Sequence, residues 1–235
     1  MEKIDCLAFG AHPDDVELFC SGLLAKLHKQ NYSTGIIDLT RGELSTNGNL
    51  ESRELESTRA AEILQVSIRT NLEFEDGNIE NSKANRLEIV KKIREYKPDL
   101  VLQPYWEDRH PDHVIASKII TDACFYAGLQ KIETNQEPHR PKTVLYYMMH
   151  TLFTPSFILD ISDEMETKIK AIKSYESQFN QTNENGSETY INKPEFFDSI
   201  INRAKFYGYE ISAKYGEPYF YKGTLRIDNL MKVFA

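Results

Sequence analysis

Two apolar runs, far apart in this chain, each lead into the tripeptide His-Pro-Asp, and each is followed by helical spacing. The first run is residues 3–10 (KIDCLAFG), which closes on Gly10 and leads into Ala11-His12-Pro13-Asp14-Asp15. Val16, Phe19, Cys20, Leu23, Leu24 and Leu27 then recur on one face of a helix. The second run is residues 99–103 (DLVLQ), followed by the loop YWEDRHP. Beyond it, Ala116, Ile119, Ile120, Ala123, Cys124 and Ala127 mark the buried stripe of another helix. Short apolar strands that feed directly into helices build a parallel sheet with helices on both faces. That pattern confines the chain to an α/β architecture.

The remaining elements agree. Residues 35–40 read as a strand, 51–66 as a helix rich in helix formers, 71–74 as a weak strand and 83–96 as a helix ended before Pro98. In the last third, residues 143–149 and 157–161 are strand-like, and 163–178 and 194–213 are helical. Residues 217–221 (EPYFY) gather aromatics, and the polar stretch 180–187 reads as an exposed loop. With no repeat or linker, we expect one domain over 1–235, its C-terminal third an α/β extension packed on the same sheet.

Composition narrows the function. Of 235 residues, 28 are Lys or Arg and 36 Asp or Glu, a formal charge of −8. Such a balance argues against a nonspecific nucleic-acid binder, whose affinity comes from neutralising phosphates. No apolar run reaches the ~20 residues of a membrane span, and the first residues lack the pattern of a signal peptide. Cys6, Cys20 and Cys124 sit in apolar surroundings and read as reduced core residues. The expectation is a cytoplasmic protein that binds neither nucleic acid nor membrane.

At the carboxyl edge of a parallel sheet, where ligands bind, the two junctions present the same chemistry. His12, Asp15 and His113 supply two imidazoles and a carboxylate, the donor set of a catalytic zinc site that keeps a position for water. His113 shares the stripe of Ala116 and Ile120 and so points inward. Asp14, beside a ligand, is placed to accept a proton from water made acidic by the ion. His110 would stand opposite as a cation or acid, oriented by Asp112. Asp14 or Asp15 also fits a plain helix N-cap, and either histidine alone fits a surface or core role. Capping does not account for two His-Pro-Asp junctions at strand ends.

At these residues the chain resembles the LmbE/PIG-L family of metal-dependent N-acetylglucosaminyl deacetylases. The resemblance takes in Ala11 to Asp15, Thr40-Arg41-Gly42-Glu43, Arg53, Glu56, His110 to His113 and Tyr215-Gly216-Glu217-Pro218. Within the family it is most similar to the bacillithiol-biosynthesis branch, which removes acetate from N-acetylglucosaminyl-malate. Length, the RHPDH wording, Ser174 to Phe179 and Tyr215 to Glu217 point to that branch. The resemblance implies a Rossmann-like fold and metal ligands His12, Asp15 and His113. It further implies Asp14 as general base, and His110, paired with Asp112, as stabiliser of the tetrahedral intermediate or proton donor. Zinc is the implied metal, with other divalent ions able to serve, and a homo-oligomer is implied by the habit of many members. Related mycothiol enzymes carry Tyr two residues before the equivalent of His110, where this chain has Asp108.

Substrate contacts are expected from Arg53, Glu43, Arg140 and Tyr190. Arg53 reads as a fork for sugar hydroxyls or a carboxylate, or as a surface ion pair with Glu56 or Glu51. Glu43 suits a sugar hydroxyl or is a solvated loop acid. Arg140 would hold a malate carboxylate, from this chain or a neighbouring subunit, or is a surface arginine. Tyr190 would close over the substrate or simply pack. Tyr105 and Trp106 read equally as pocket wall or core, and His28, His139 and His150 receive no role. Rival functions are a deacetylase of free N-acetylglucosamine, chitobiose or a mycothiol-like conjugate, and a noncatalytic metal-binding protein. A nucleotide-binding module is disfavoured because GAHPDD lacks the glycines of G-x-G-x-x-G.

Overall fold

The first strand, β1 (Cys6–Gly10), is buried along its whole length and becomes the hinge of the topology. The chain runs outward from it. After α1 (Asp15–Phe19) and α2 (Ser21–Lys29) comes β2 (Thr34–Thr40), and after α3 (Leu50–Leu64) comes β3 (Ile68–Phe74). It then crosses back through α4 (Lys83–Tyr96) to β4 (Leu100–Pro104), which pairs with the free side of β1. The helix α5 (Pro111–Ala127) leads on to β5 (Thr143–Tyr147). In the computed structural model, which describes residues 3–179 and 187–231, the sheet order is β3-β2-β1-β4-β5 followed by two later strands. These five strands are parallel. Strand order reverses between β1 and β4, and at such a switch point the carboxyl ends of the strands leave a crevice. Both His-Pro-Asp junctions open into it.

The last third follows a different rule. The strand β6 (Phe157–Asp160), the helices α6 (Met165–Lys173), α7 (Glu176–Phe179) and α8 (Pro194–Glu210), and the strand β7 (Gly216–Tyr221) complete the chain. The strand β7 inserts between β5 and β6 and is antiparallel to both, so the seven-stranded sheet is mixed at this side. Two apolar layers sandwich the sheet. One joins β1 to α1, α2, α3 and α6, and the other joins it to α4 and α5. The three cysteines are free and buried, as expected. Among the described residues, no helix is long and apolar enough to cross a membrane.

Three expectations are revised. The first helix is not continuous. It breaks at Cys20 (φ −143°), and α2 starts afresh because the Glu217 carboxylate accepts the Gly22 and Leu23 N–H groups at 2.9 and 2.8 Å. The helix expected over 163–178 is two, α6 and α7, with Ser174 and Tyr175 between them. The weak strand at 71–74 begins earlier, at Ile68, where Arg69 reaches across to Asp38 of β2. The loop expected at 180–187 lies, but for its last residue, outside the described residues.

Candidate metal centre and active site

Gly10 ends β1 where the backbone must double back. A Cβ there would stand 3.0 Å from the His12 carbonyl and 3.1 Å from the Asp15 Cβ. The turn places Asp14 at φ 123°, a left-handed conformation costly for any residue but glycine, by about 1–3 kcal/mol. Although Asp14 precedes α1 in the N-cap position, its side chain makes no capping bond. The capping alternative is therefore removed for Asp14. Its buried carboxylate instead accepts from Arg53 Nη1 at 3.2 Å. Burial pushes the Asp14 carboxyl up to about 6, with the Arg53 guanidinium pulling the other way.

Asp15 lies between two imidazoles. His12 Nδ1 stands 3.7 Å from Asp15 Oδ2 and His113 Nε2 stands 3.3 Å from Asp15 Oδ1. One donor atom from each of His12, Asp15 and His113 lies within 4.8 Å of the others, close enough to share an ion. The other ring nitrogens are also spoken for. His12 Nε2 meets Asp76 at 3.0 Å and Asp112 at 3.2 Å, and His113 Nδ1 meets Asp108 at 2.9 Å. A metal-binding histidine characteristically gives its second nitrogen to a carboxylate, so the donor set and its surroundings fit a divalent ion. Burial opposes ionisation of Asp15, yet the facing His113 and His12 hold its carboxyl well below the usual range. Burial likewise opposes protonation of His113, but Asp15 and Asp108 raise it to about 9.

His110 begins α5 as its N-cap, accepting the Asp112 backbone N–H on Nδ1 at 3.2 Å. An accepting Nδ1 requires the ring proton on Nε2, so the side chain is a neutral donor. Burial, with His12 and His113 nearby, lowers its pKa. The expectation that Asp112 orients His110 through its carboxylate is corrected. That carboxylate is engaged elsewhere, accepting from Gly77 N–H at 2.8 Å and lying against His12. The backbone of Asp112, not its side chain, orients His110.

These groups open into a cavity of about 330 Å³ lined also by Arg53, Arg109, His150 and Tyr190. Arg53 does not pair with Glu56, whose carboxylate accepts the Ser177 N–H and hydroxyl at 2.6 and 2.8 Å. The Nε of Arg53 is buried and has no hydrogen-bond partner among the described residues. Gly42 (φ +70°) makes room beside it, since a Cβ there would stand 3.1 Å from Nη2. Tyr190 lines the cavity, with the Arg109 guanidinium 4.0 Å over its ring. A second cavity, of about 360 Å³, lies on the other side of Arg53 but contains none of the histidines.

Two expected substrate residues are elsewhere in this chain. Glu43 spends its carboxylate on the Asp76 and Arg41 backbone N–H groups at 2.8 and 3.2 Å, which shapes the loop. Arg140 is exposed, stacks on the Phe125 ring and donates to the Phe125 carbonyl, near the amino end of β5 and away from the crevice. Tyr105 and Trp106 form a half-buried cluster with Tyr146, Phe153 and Phe220 outside the cavity. Conversely, His150 received no role from sequence and lines the cavity, its ring 5.8 Å from that of His113. Asp76 and Asp108 were also missed. An Asp-Gly turn after β3 and an acid five residues before His113 were the available signals.

Residues 7–124 match the family model PIG-L, GlcNAc-PI de-N-acetylase. The diacetylchitobiose deacetylase of Thermococcus kodakarensis is 33% identical over 194 residues, covering 76% of this chain and 71% of that protein. A protein of Bacillus subtilis described as a probable N-acetyl-alpha-D-glucosaminyl L-malate deacetylase is 24% identical, covering 71% of this chain and 80% of that one. Among solved structures, the conserved protein TT1542 from Thermus thermophilus superposes with a TM-score of 0.88 at 34% identity, covering 96% and 98% of the two chains.

Proposed function

From the PIG-L family, to which this chain belongs, it takes its activity as a deacetylase of N-acetylglucosamine-type substrates, and we propose that it acts on N-acetylglucosaminyl-malate with zinc as its metal. The observation that carries the catalytic reading is Asp14. A strained, buried carboxylate that caps nothing, beside a ready-made His-Asp-His donor set, has chemical work to do. His12, Asp15 and His113 would hold a divalent ion, which would supply Lewis acidity toward the acetamide carbonyl and water.

The chain's own residues do the rest. Arg53 holds one oxygen of Asp14, leaving the other to take a proton from the attacking water. With its pKa raised to about 6, Asp14 is still ionised at neutral pH and is a stronger base than an exposed aspartate. His110, with its proton on Nε2, donates to the oxygen that gains negative charge as water adds. The proton taken by Asp14 then passes to the departing amine nitrogen as the C–N bond breaks, leaving acetate.

Arg109 supports the malate assignment. It is exposed at the cavity mouth, stacked on Tyr190, with no carboxylate at ion-pair distance among the described residues. A dicarboxylate aglycone would supply the missing partner. Arg140 reaches such a pocket only if a second copy of the chain brings it there. A neutral second sugar is the competing aglycone, favoured by the 33% identity to the diacetylchitobiose enzyme. Acetate release should be measured on N-acetylglucosaminyl-malate, diacetylchitobiose and N-acetylglucosamine, with metal-loaded and chelated protein. Arg109→Gln should raise KM for the malate conjugate about 10-fold or more and leave the neutral sugars nearly unchanged. Equal kcat/KM with and without malate would reject the malate assignment. No metal-dependent acetate release from any of them would reject the deacetylase reading itself.

A further inference from the structure

Asp108 receives more contacts than its place in an exposed-looking loop would suggest. Its side chain is 1% exposed. One oxygen faces His113 Nδ1 at 2.9 Å and accepts the His110 backbone N–H at 3.0 Å. The other accepts the backbone N–H groups of His150 at 2.9 Å and Thr151 at 3.4 Å. The first pair belongs to the β4–α5 junction that carries His110 and His113. The second belongs to the segment after β5, where His150 packs against the rings of Tyr190 and Phe196. Two segments separate in sequence are therefore fastened to the two oxygens of one carboxylate.

We propose that Asp108 is a positioning residue that couples the metal ligand His113 to the His150 wall of the pocket. By accepting the proton on His113 Nδ1 it leaves Nε2, the nitrogen facing Asp15, as the one that would give up its proton to hold an ion. By accepting from His150 and Thr151 with its other oxygen, it sets the wall at the same distance from the ligand. An ion at His113 therefore tightens the wall, and a change in the wall is felt at the ion. An amide cannot do both, because Asn offers one accepting oxygen where the carboxylate offers two. The metal-binding part of the site reading underlies this inference, but the choice of substrate does not.

The test uses the full chain with zinc as the probe and needs no substrate. Zinc affinity is measured by competition with a chromogenic chelator, amide exchange at His150 and Thr151 with and without zinc, and the His113 tautomer by long-range ¹H–¹⁵N spectra. In the unmutated protein, His113 should carry its proton on Nδ1 when zinc is bound, and zinc should slow exchange at both amides. Asp108→Asn should weaken zinc about 10- to 100-fold and abolish the zinc-dependent slowing. A purely structural Asp108 would lower Tm but leave the zinc affinity of the folded protein unchanged. That result would overturn the proposal, as would zinc-independent exchange at His150 and Thr151 in the unmutated chain. If the variant does not fold, the tautomer and exchange measurements on the unmutated protein still decide.

Discussion

At the scale of single residues, Asp14 and His113 pull in opposite directions, and both give predictions. Asp14→Asn preserves volume and the Arg53 contact but removes the proton acceptor, so it should cut kcat about 10²- to 10⁴-fold while metal content by atomic absorption stays near one per chain. Loss of the metal together with activity would instead make Asp14 a ligand. His113, raised to about 9 in the metal-free chain, is protonated at neutral pH and must release that proton to bind an ion. Zinc affinity should therefore rise with pH, by up to about tenfold per unit from this group, and level off above pH 9. In the absence of metal the sign reverses. The raised His113 adds stability below about pH 6.5, lost as pH climbs through 9. Proton release on zinc addition in weak buffer checks the first statement and a pH series of urea melts the second. That His12, Asp14, Asp15, His110 and His113 would meet was legible, because they fall in two short motifs that both follow strands of one parallel sheet. Asp76, Asp108 and His150 were not, since each acts through contacts between segments that only the folded sheet brings together.

The elements were legible where local pattern and tertiary role coincide. The buried runs of β1, β2, β4 and β5 announce themselves, and so do α4, with its Ser82 cap, and α5, with Pro111 at its first position. The break between α1 and α2 was invisible because its cause lies at the other end of the chain. Glu217 accepts the first N–H groups of α2, the Tyr219 hydroxyl at 2.6 Å and the buried Lys168 ammonium at 2.6 Å. The Tyr215-Gly216-Glu217-Pro218 motif is thus read as a remote cap that fixes where α2 starts, and with it where α1 must stop. Glu217→Ala would strip these donors of their acceptor and leave Lys168 buried without its carboxylate. It should destabilise the protein by about 3–5 kcal/mol, read as a lower midpoint in urea. A loss below about 1 kcal/mol would show that water replaces the carboxylate and that Glu217 is not the cap.

Across the whole molecule, the decisive fact is that the three residues proposed to hold the metal come from the two sides of the switch point. His12 and Asp15 follow β1, while His113 lies in the first turn of α5, after β4. Between them in sequence lie α1, α2, β2, α3, β3, α4 and β4, the outward excursion of the chain and its return. An ion at this place closes a loop of about a hundred residues across the centre of the sheet, and it can do so only when both halves are folded. Metal binding should accordingly report on global stability. At a free zinc concentration about a thousandfold above Kd, linkage gives roughly 4 kcal/mol. In a chain of this size each kcal/mol raises Tm by about 2–4 °C, so the shift should be roughly 10 °C between chelated and zinc-loaded protein. His113→Ala should abolish most of that shift while costing the metal-free protein far less, because the one ligand from the β4 side is then gone. A thermal scan in which chelator and zinc give the same Tm would mean that no ion ties the two junctions together. The side chains of Asp14 and His110 would then face a crevice with no common centre to act upon.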